Sequence, residues 1–162
     1  MLNEGTFPPL GTSRPAAPDE RPIILLIEDS IQEAMLIRFA LEKSHARLRL
    51  EHVIDGRVAV DYFKGAGRYA DRKVHPIPQL VILDLHLPGL HGMEVLRFIR
   101  EQTEYFSLPV FIFTDSLSPN DRARAKSIGA TGYLEKPSGI EALVEMVNNL
   151  QRYLVRKAAQ ER

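Results

Sequence analysis

The chain of 162 residues contains no cysteine. That excludes disulfide staples, thiolate metal sites and cysteine nucleophiles, and it fits a reducing compartment. Charge of one sign is not in excess either: 21 Lys and Arg stand against 21 Asp and Glu, so no global field draws the molecule to nucleic acid or to an anionic membrane. Long hydrophobic runs are also missing. The longest uninterrupted apolar stretch, Ile23–Ile27, is 5 residues, far short of the roughly 20 that span a bilayer. The N-terminus lacks the basic-then-apolar pattern of a secretory signal. A soluble cytoplasmic protein, with neither nucleic acid nor membrane among its partners, is the expectation.

What is present is enough for one folded unit. A hydrophobic content of 44% in a chain of this length supports a single sizeable core with short tails. Residues 1–21 carry four prolines and two glycines with almost no periodic apolar pattern, so they read as a disordered leader. From Arg21 the pattern changes. The run Ile23–Ile27 ends in Glu28-Asp29-Ser30, Leu80–Leu83 ends in Asp84, and Val110–Phe113 ends in Thr114. Their length and β-branching suggest strands buried on both faces. Weaker strands are expected around Leu48–Ile54 and Thr131–Glu135.

Helical patterns lie between them. Ile31–Glu42 places Leu36, Ile37, Ala40 and Leu41 on one side, and Gly92–Arg100 does the same with Met93, Leu96 and Ile99. Ser118-Pro119-Asn120-Asp121 reads as a helix start and Gly129 as its stop. Ser138-Gly139-Ile140-Glu141 reads as a capping box opening a helix with the stripe Ile140, Leu143, Val144, Val147, Leu150, Leu154. Five strand signals alternating with five helix signals predict an open α/β fold whose parallel sheet is covered on both faces. The segment Lys64–Pro78, with two glycines and two prolines, reads as an irregular surface loop.

In such sheets the functional groups gather beyond the carboxyl ends of the strands. Here those ends carry Glu28, Asp29, Asp84 and Thr114, with Lys136 after the last strand. A nucleotide-binding sheet would need glycines in the first turn; this turn has two carboxylates. Three carboxylates in one cleft cannot all ionise at low cost without a cation. Oxygen ligands of this kind suit Mg²⁺, or Mn²⁺ in its place.

The run Ile23–Asp29, the block Leu83-Asp84-Leu85-His86-Leu87-Pro88 followed by Gly92, Thr114, and Tyr133-Leu134-Glu135-Lys136-Pro137 resemble the receiver domain of bacterial two-component response regulators. The resemblance covers residues 22–150 in matching order, leaving 151–162 as an extension of the last helix. It implies a five-stranded, doubly wound (βα)5 three-layer fold of the flavodoxin-like, CheY-like kind.

By that resemblance Asp84 is the phosphoacceptor for a phosphoryl group from a sensor histidine kinase. Asp29, Asp84, the backbone carbonyl of His86 and, through water, Glu28 hold the metal. Lys136 and Thr114 contact the phosphoryl oxygens, Thr114 and Tyr133 act as the switch pair, and a cis peptide precedes Pro137. Taken alone, Thr114 also reads as a strand-end residue satisfying local backbone, and Tyr133 as a half-buried strand tyrosine. The five histidines read as surface, loop or strand residues, with the His86 side chain placed to tune water access.

A stand-alone regulator of this kind signals through a downstream protein or passes phosphate onward. The long Lys64–Pro78 loop, the acceptor block and the extended final helix lean toward regulators serving phytochrome-type kinases. The tail Gln151–Arg162, with four basic residues and one acid, reads as a solvated helix end or as a contact in a symmetric homodimer. Two other readings stand against this one. A Mg²⁺-dependent phosphohydrolase with an aspartate nucleophile would carry a second aspartate where His86 stands. A receiver-like interaction module would take no phosphate.

Overall fold

Continuous apolar character in the central strands decides the architecture of the computed structural model, which describes residues 19–161. In the strands β1 (Ile23–Ile27), β3 (Leu80–Leu83) and β4 (Val110–Thr114) successive residues feed opposite faces. Leu25, Ile27, Val81, Leu83, Val110 and Ile112 enter one core; Ile24, Leu26, Leu80, Ile82 and Phe113 enter the other. Burial of each such side chain contributes about 1.5–3 kcal/mol, and only a sheet covered on both sides collects it from both faces. With β2 (Arg49–Val53) and β5 (Gly132–Glu135) at its edges, the sheet is parallel throughout in the order β2-β1-β3-β4-β5.

The helices α1 (Ile31–Lys43) and α5 (Ile140–Gln160) cover one face through Ala34, Ile37, Ala40, Leu143, Val147, Leu150 and Leu154. The helices α2 (Gly56–Lys64), α3 (Gly92–Glu101) and α4 (Pro119–Ile128) cover the other. The expected α/β class, the three central strands and the buried stripe of α3 are all present. So are Ser118 as the cap of α4, accepting from the Asp121 N–H, and Gly129 as its stop at φ 110°.

Four expectations need correction. The buried stripe of α1 is Ala34, Ile37 and Ala40, whereas Leu36 is 50% exposed; facing α5 at close range favours the small alanines. The capping box at Ser138 does not form: the residue before α5 is Gly139, at φ 102°, with no side-chain cap. The Lys136–Pro137 peptide is trans, since no cis bond occurs among the described residues, and trans is the intrinsically favoured isomer even before proline. The segment Lys64–Pro78 is not simply irregular, because it begins inside α2, contains a 3₁₀ turn at Gly67–Tyr69 and buries Tyr69. Arg72 ties it down by donating to the Tyr62 and Phe63 carbonyls. The proposed disordered leader lies, through residue 18, outside the described residues.

Candidate functional site

Backbone hydrogen bonds continue past the strand ends and bring the polar residues together. The Glu28 N–H donates to the Val53 carbonyl, the Asp84 N–H to the Ile27 carbonyl and the Lys136 N–H to the Thr114 carbonyl, each at 3.0 Å. These bonds place Glu28 beside Asp84 on neighbouring strands and Lys136 beside Thr114. A carboxylate oxygen from each of Glu28, Asp29 and Asp84 lies within 4.8 Å of the others. Glu28 and Asp84 are buried, at 1% and 4% exposure, while Asp29 is exposed at the mouth.

The loop after Asp84 turns back under a steric constraint. A Cβ on Gly92 would run into the Asp84 carbonyl oxygen, so a glycine is required where α3 starts against the loop after Asp84. Next to it His91 caps α3: its Nδ1 accepts from the Met93 N–H at 3.2 Å, and Glu94 reaches back to the His91 N–H at 3.1 Å. The His86 imidazole is exposed and packs edge to face on His91, with ring centroids 5.9 Å apart. His52 reads as an ordinary strand residue from sequence, yet its Nε2 lies 2.7 Å from the Glu28 carbonyl and fixes the start of the acidic turn.

Lys136 is the cation of the cluster. Its Nζ is 2.9 Å from Glu28 Oε2 and 3.4 Å from Asp84 Oδ2, and it also pairs with Glu33 Oε2. Burial works against the ammonium, but the bonds to Glu33 and Glu28 and the charge of Asp84 outweigh it and raise the Lys136 pKa. Burial pushes the Glu28 carboxyl up to about 7, against the opposing pull of Lys136 and of the Ser30 N–H. That N–H donates to Glu28 Oε1 at 2.9 Å. Asp84 Oδ1 is buried with no hydrogen-bond partner. A buried carboxylate oxygen without a partner is costly, and the Asp84 carboxylate is clustered with two further acids. The donor set therefore fits a hard divalent cation.

Thr114 is fully buried, and its Oγ1 accepts from the Ser116 N–H at 3.2 Å. Tyr133 is half-buried; its hydroxyl donates to the Ser116 carbonyl at 3.0 Å, and the Arg122 guanidinium lies 4.7 Å from its ring centroid. The two residues expected to act as a pair thus meet through the backbone of Ser116. Glu33 was not singled out from sequence. The available signal was Ser30-x-x-Glu33, which places an acid in the first turn of α1, directly after the acidic loop; Ser30 does cap this helix by accepting from the Glu33 N–H.

A profile of the response regulator receiver domain matches residues 24–148. The chain is 38% identical over 134 residues to the probable methanogenesis regulatory protein FilR2 of Methanothrix harundinacea, spanning 81% of this chain and 82% of FilR2. It is 30% identical over 131 residues to the response regulator Rcp1 of Synechocystis sp., spanning 81% and 87% of the two chains. The Mn²⁺-bound structure of Rcp1 superposes with a TM-score of 0.71, covering 80% of this chain and 91% of that one. The phosphorylated cyanobacterial phytochrome response regulator RcpA, 27% identical, superposes at 0.75 with coverage of 83% and 94%.

Proposed function

The chain belongs to the response regulator receiver family, and on that premise we propose that Asp84 takes a phosphoryl group from a histidine kinase and that the resulting acyl phosphate switches the protein. The observation that carries this reading is the buried Asp84 carboxylate, clustered with Glu28 and Asp29, with its Oδ1 unpartnered and its Oδ2 3.4 Å from Lys136. An Asp84 carboxylate oxygen attacks the phosphorus of a phosphohistidine. The new P–O bond forms as the P–N bond breaks, and the departing imidazole keeps the electron pair and takes up a proton. Lys136 stands close enough to follow the charge onto the phosphoryl oxygens, where a mobile point charge is most useful.

Glu28, Asp29, Asp84 and the His86 carbonyl would hold Mg²⁺, or Mn²⁺ as in the solved form of Rcp1. The ion supplies charge neutralisation among the carboxylates and the incoming phosphoryl oxygens. Thr114 reorients its hydroxyl from the Ser116 N–H to a phosphoryl oxygen, and Tyr133 then loses the carbonyl position that anchors its hydroxyl. A dianionic group beside β4 and β5 is a strong enough local perturbation to bias a two-state element.

The protein is thus a phosphorylation-controlled signalling component that catalyses its own modification rather than an enzyme acting on a separate product pathway. The likeness to RcpA, a phytochrome response regulator, supports a phytochrome-type kinase as the source of phosphate. A downstream protein or a phosphotransfer partner receives the signal. His86 in place of a second aspartate argues against the phosphohydrolase reading, and the complete acid, threonine and lysine set argues against a module that takes no phosphate.

The test is acid-labile labelling by acetyl phosphate with Mg²⁺, and by purified histidine kinases. Asp84→Asn should take no label. Undiminished labelling of that variant would refute the assignment.

A further inference from the structure

We infer that Glu33 is a positioning residue that tethers the Lys136 ammonium on the α1 side of the cleft and has to release it when Asp84 is phosphorylated. The inference rests on the phosphoacceptor reading of Asp84 and extends it to a residue outside the acidic turn. Lys136 Nζ contacts three carboxylates from three elements, and it sits closer to Glu33 and to Glu28 than to Asp84. Glu33 is the most exposed of the three, with 34% side-chain exposure against 1% for Glu28 and 6% for Asp84. Its Oε2, the oxygen that meets Lys136, is buried, while the rest of the side chain reaches water, so Glu33 is the partner that can turn into solvent when the ammonium leaves.

The setting makes the tether specific. Glu33 belongs to the first turn of α1, whose start is held by the Ser30 cap at 3.2 Å. Glu33, Lys136, Pro137 and Phe113 line a cleft of about 200 Å³ that opens beside the acid cluster. Lys136 lies against the Phe113 ring, 5.6 Å from its centroid, with its ammonium between Glu33 of α1 and Asp84. A phosphoryl group on Asp84 competes with Glu33 for this single cation. Glu33 thereby opposes the phosphorylated state and sets how readily it forms.

Two measurements on the intact chain test this. The first is trace acetylation of Lys136 by acetic anhydride, read by mass spectrometry against exposed Lys43 and Lys126. Glu33→Gln should raise Lys136 reactivity about two- to fivefold, the change expected for loss of one partly exposed ion pair. The second is the rate of labelling by acetyl phosphate with Mg²⁺, which should rise in Glu33→Gln by a similar factor. The gain should vanish in a Lys136→Ala background, because a simple loss of repulsion toward the incoming anion would persist there.

A labelled wild type whose Glu33→Gln variant shows neither change overturns the Glu33 inference alone. A gain that survives without Lys136 also overturns it. A wild type that takes no label at all overturns the phosphoacceptor reading, and the role of Glu33 in phosphorylation with it.

Discussion

Lys136 Nζ stands 3.4 Å from Asp84 Oδ2, across the space between the ends of β3 and β5. The ammonium arrives there because β4 separates the two strands and carries Lys136 on its own ladder, through the bond from the Lys136 N–H to the Thr114 carbonyl. Removing the side chain leaves Glu28 buried without its cation. Lys136→Ala should therefore lower stability at pH 8 by about 2 kcal/mol, measured by urea denaturation. It should also slow phosphorylation by at least about tenfold, the equivalent of roughly 1.4 kcal/mol of lost charge stabilisation. Wild-type rates in a folded variant would remove Lys136 from the site.

Glu28 predicts a pH effect of definite sign. Its carboxyl is raised from 4.5 to about 7 in the folded protein, chiefly by burial, so between those values the native state holds a proton that the unfolded chain has released. Stability contributed by this group is present at low pH and is lost as pH rises through about 7. Glu28→Gln removes the titration. Relative to that variant, the wild type should lose about 2–3 kcal/mol between pH 5 and pH 8, read from urea denaturation without divalent ions. Parallel pH profiles for the two proteins would show that Glu28 is solvated like an ordinary surface acid.

The readable parts of this molecule are those where one residue's environment follows from its neighbours in the chain. Ile23–Ile27 and Leu80–Leu83 are apolar at every position, and both are buried at every position, which only a doubly covered strand allows. The acids after them needed only the rule that strand ends converge. Tertiary choices were less accessible. The α1 stripe depends on how close α5 comes, so Ala34 replaced Leu36 on the buried face. His91 caps α3 with a ring nitrogen, a role shared with commoner capping residues and therefore invisible in a residue pattern. The pairing of Glu33 with Lys136 joins positions more than a hundred residues apart, and no local spacing announces it. Ser138 offered the right cap chemistry, yet α5 begins from Gly139 at positive φ.

Asp29 separates metal binding from folding. It is exposed while Glu28 and Asp84 are buried, so its removal disturbs little of the interior. Asp29→Ala should leave the unfolding free energy at least as high as that of the wild type in the absence of divalent ions, because it removes an exposed charge from a cluster of three carboxylates. Titration with Mg²⁺ or Mn²⁺, followed by calorimetry, should show one-to-one binding in the wild type and its loss in the variant. The stabilisation that excess Mg²⁺ gives the wild type should disappear as well. Metal affinity that survives this substitution would place the ion elsewhere.

Thr114 offers the means to separate phosphate capture from its consequence. Its buried Oγ1 accepts from the Ser116 N–H, and the Ser116 carbonyl accepts from the Tyr133 hydroxyl, so the threonine and the tyrosine share one short piece of backbone. Thr114→Val keeps the shape of the side chain and deletes the hydroxyl. It should cost about 1–2 kcal/mol, because a half-buried N–H loses its acceptor. Asp84 and Lys136 are untouched, so labelling by acetyl phosphate should continue. The Tyr133 ring resonances, which should shift on phosphorylation of the wild type, should then stay at their unphosphorylated positions. A variant that takes phosphate and still moves Tyr133 as the wild type does would show that the β4–β5 connection transmits the change without the threonine.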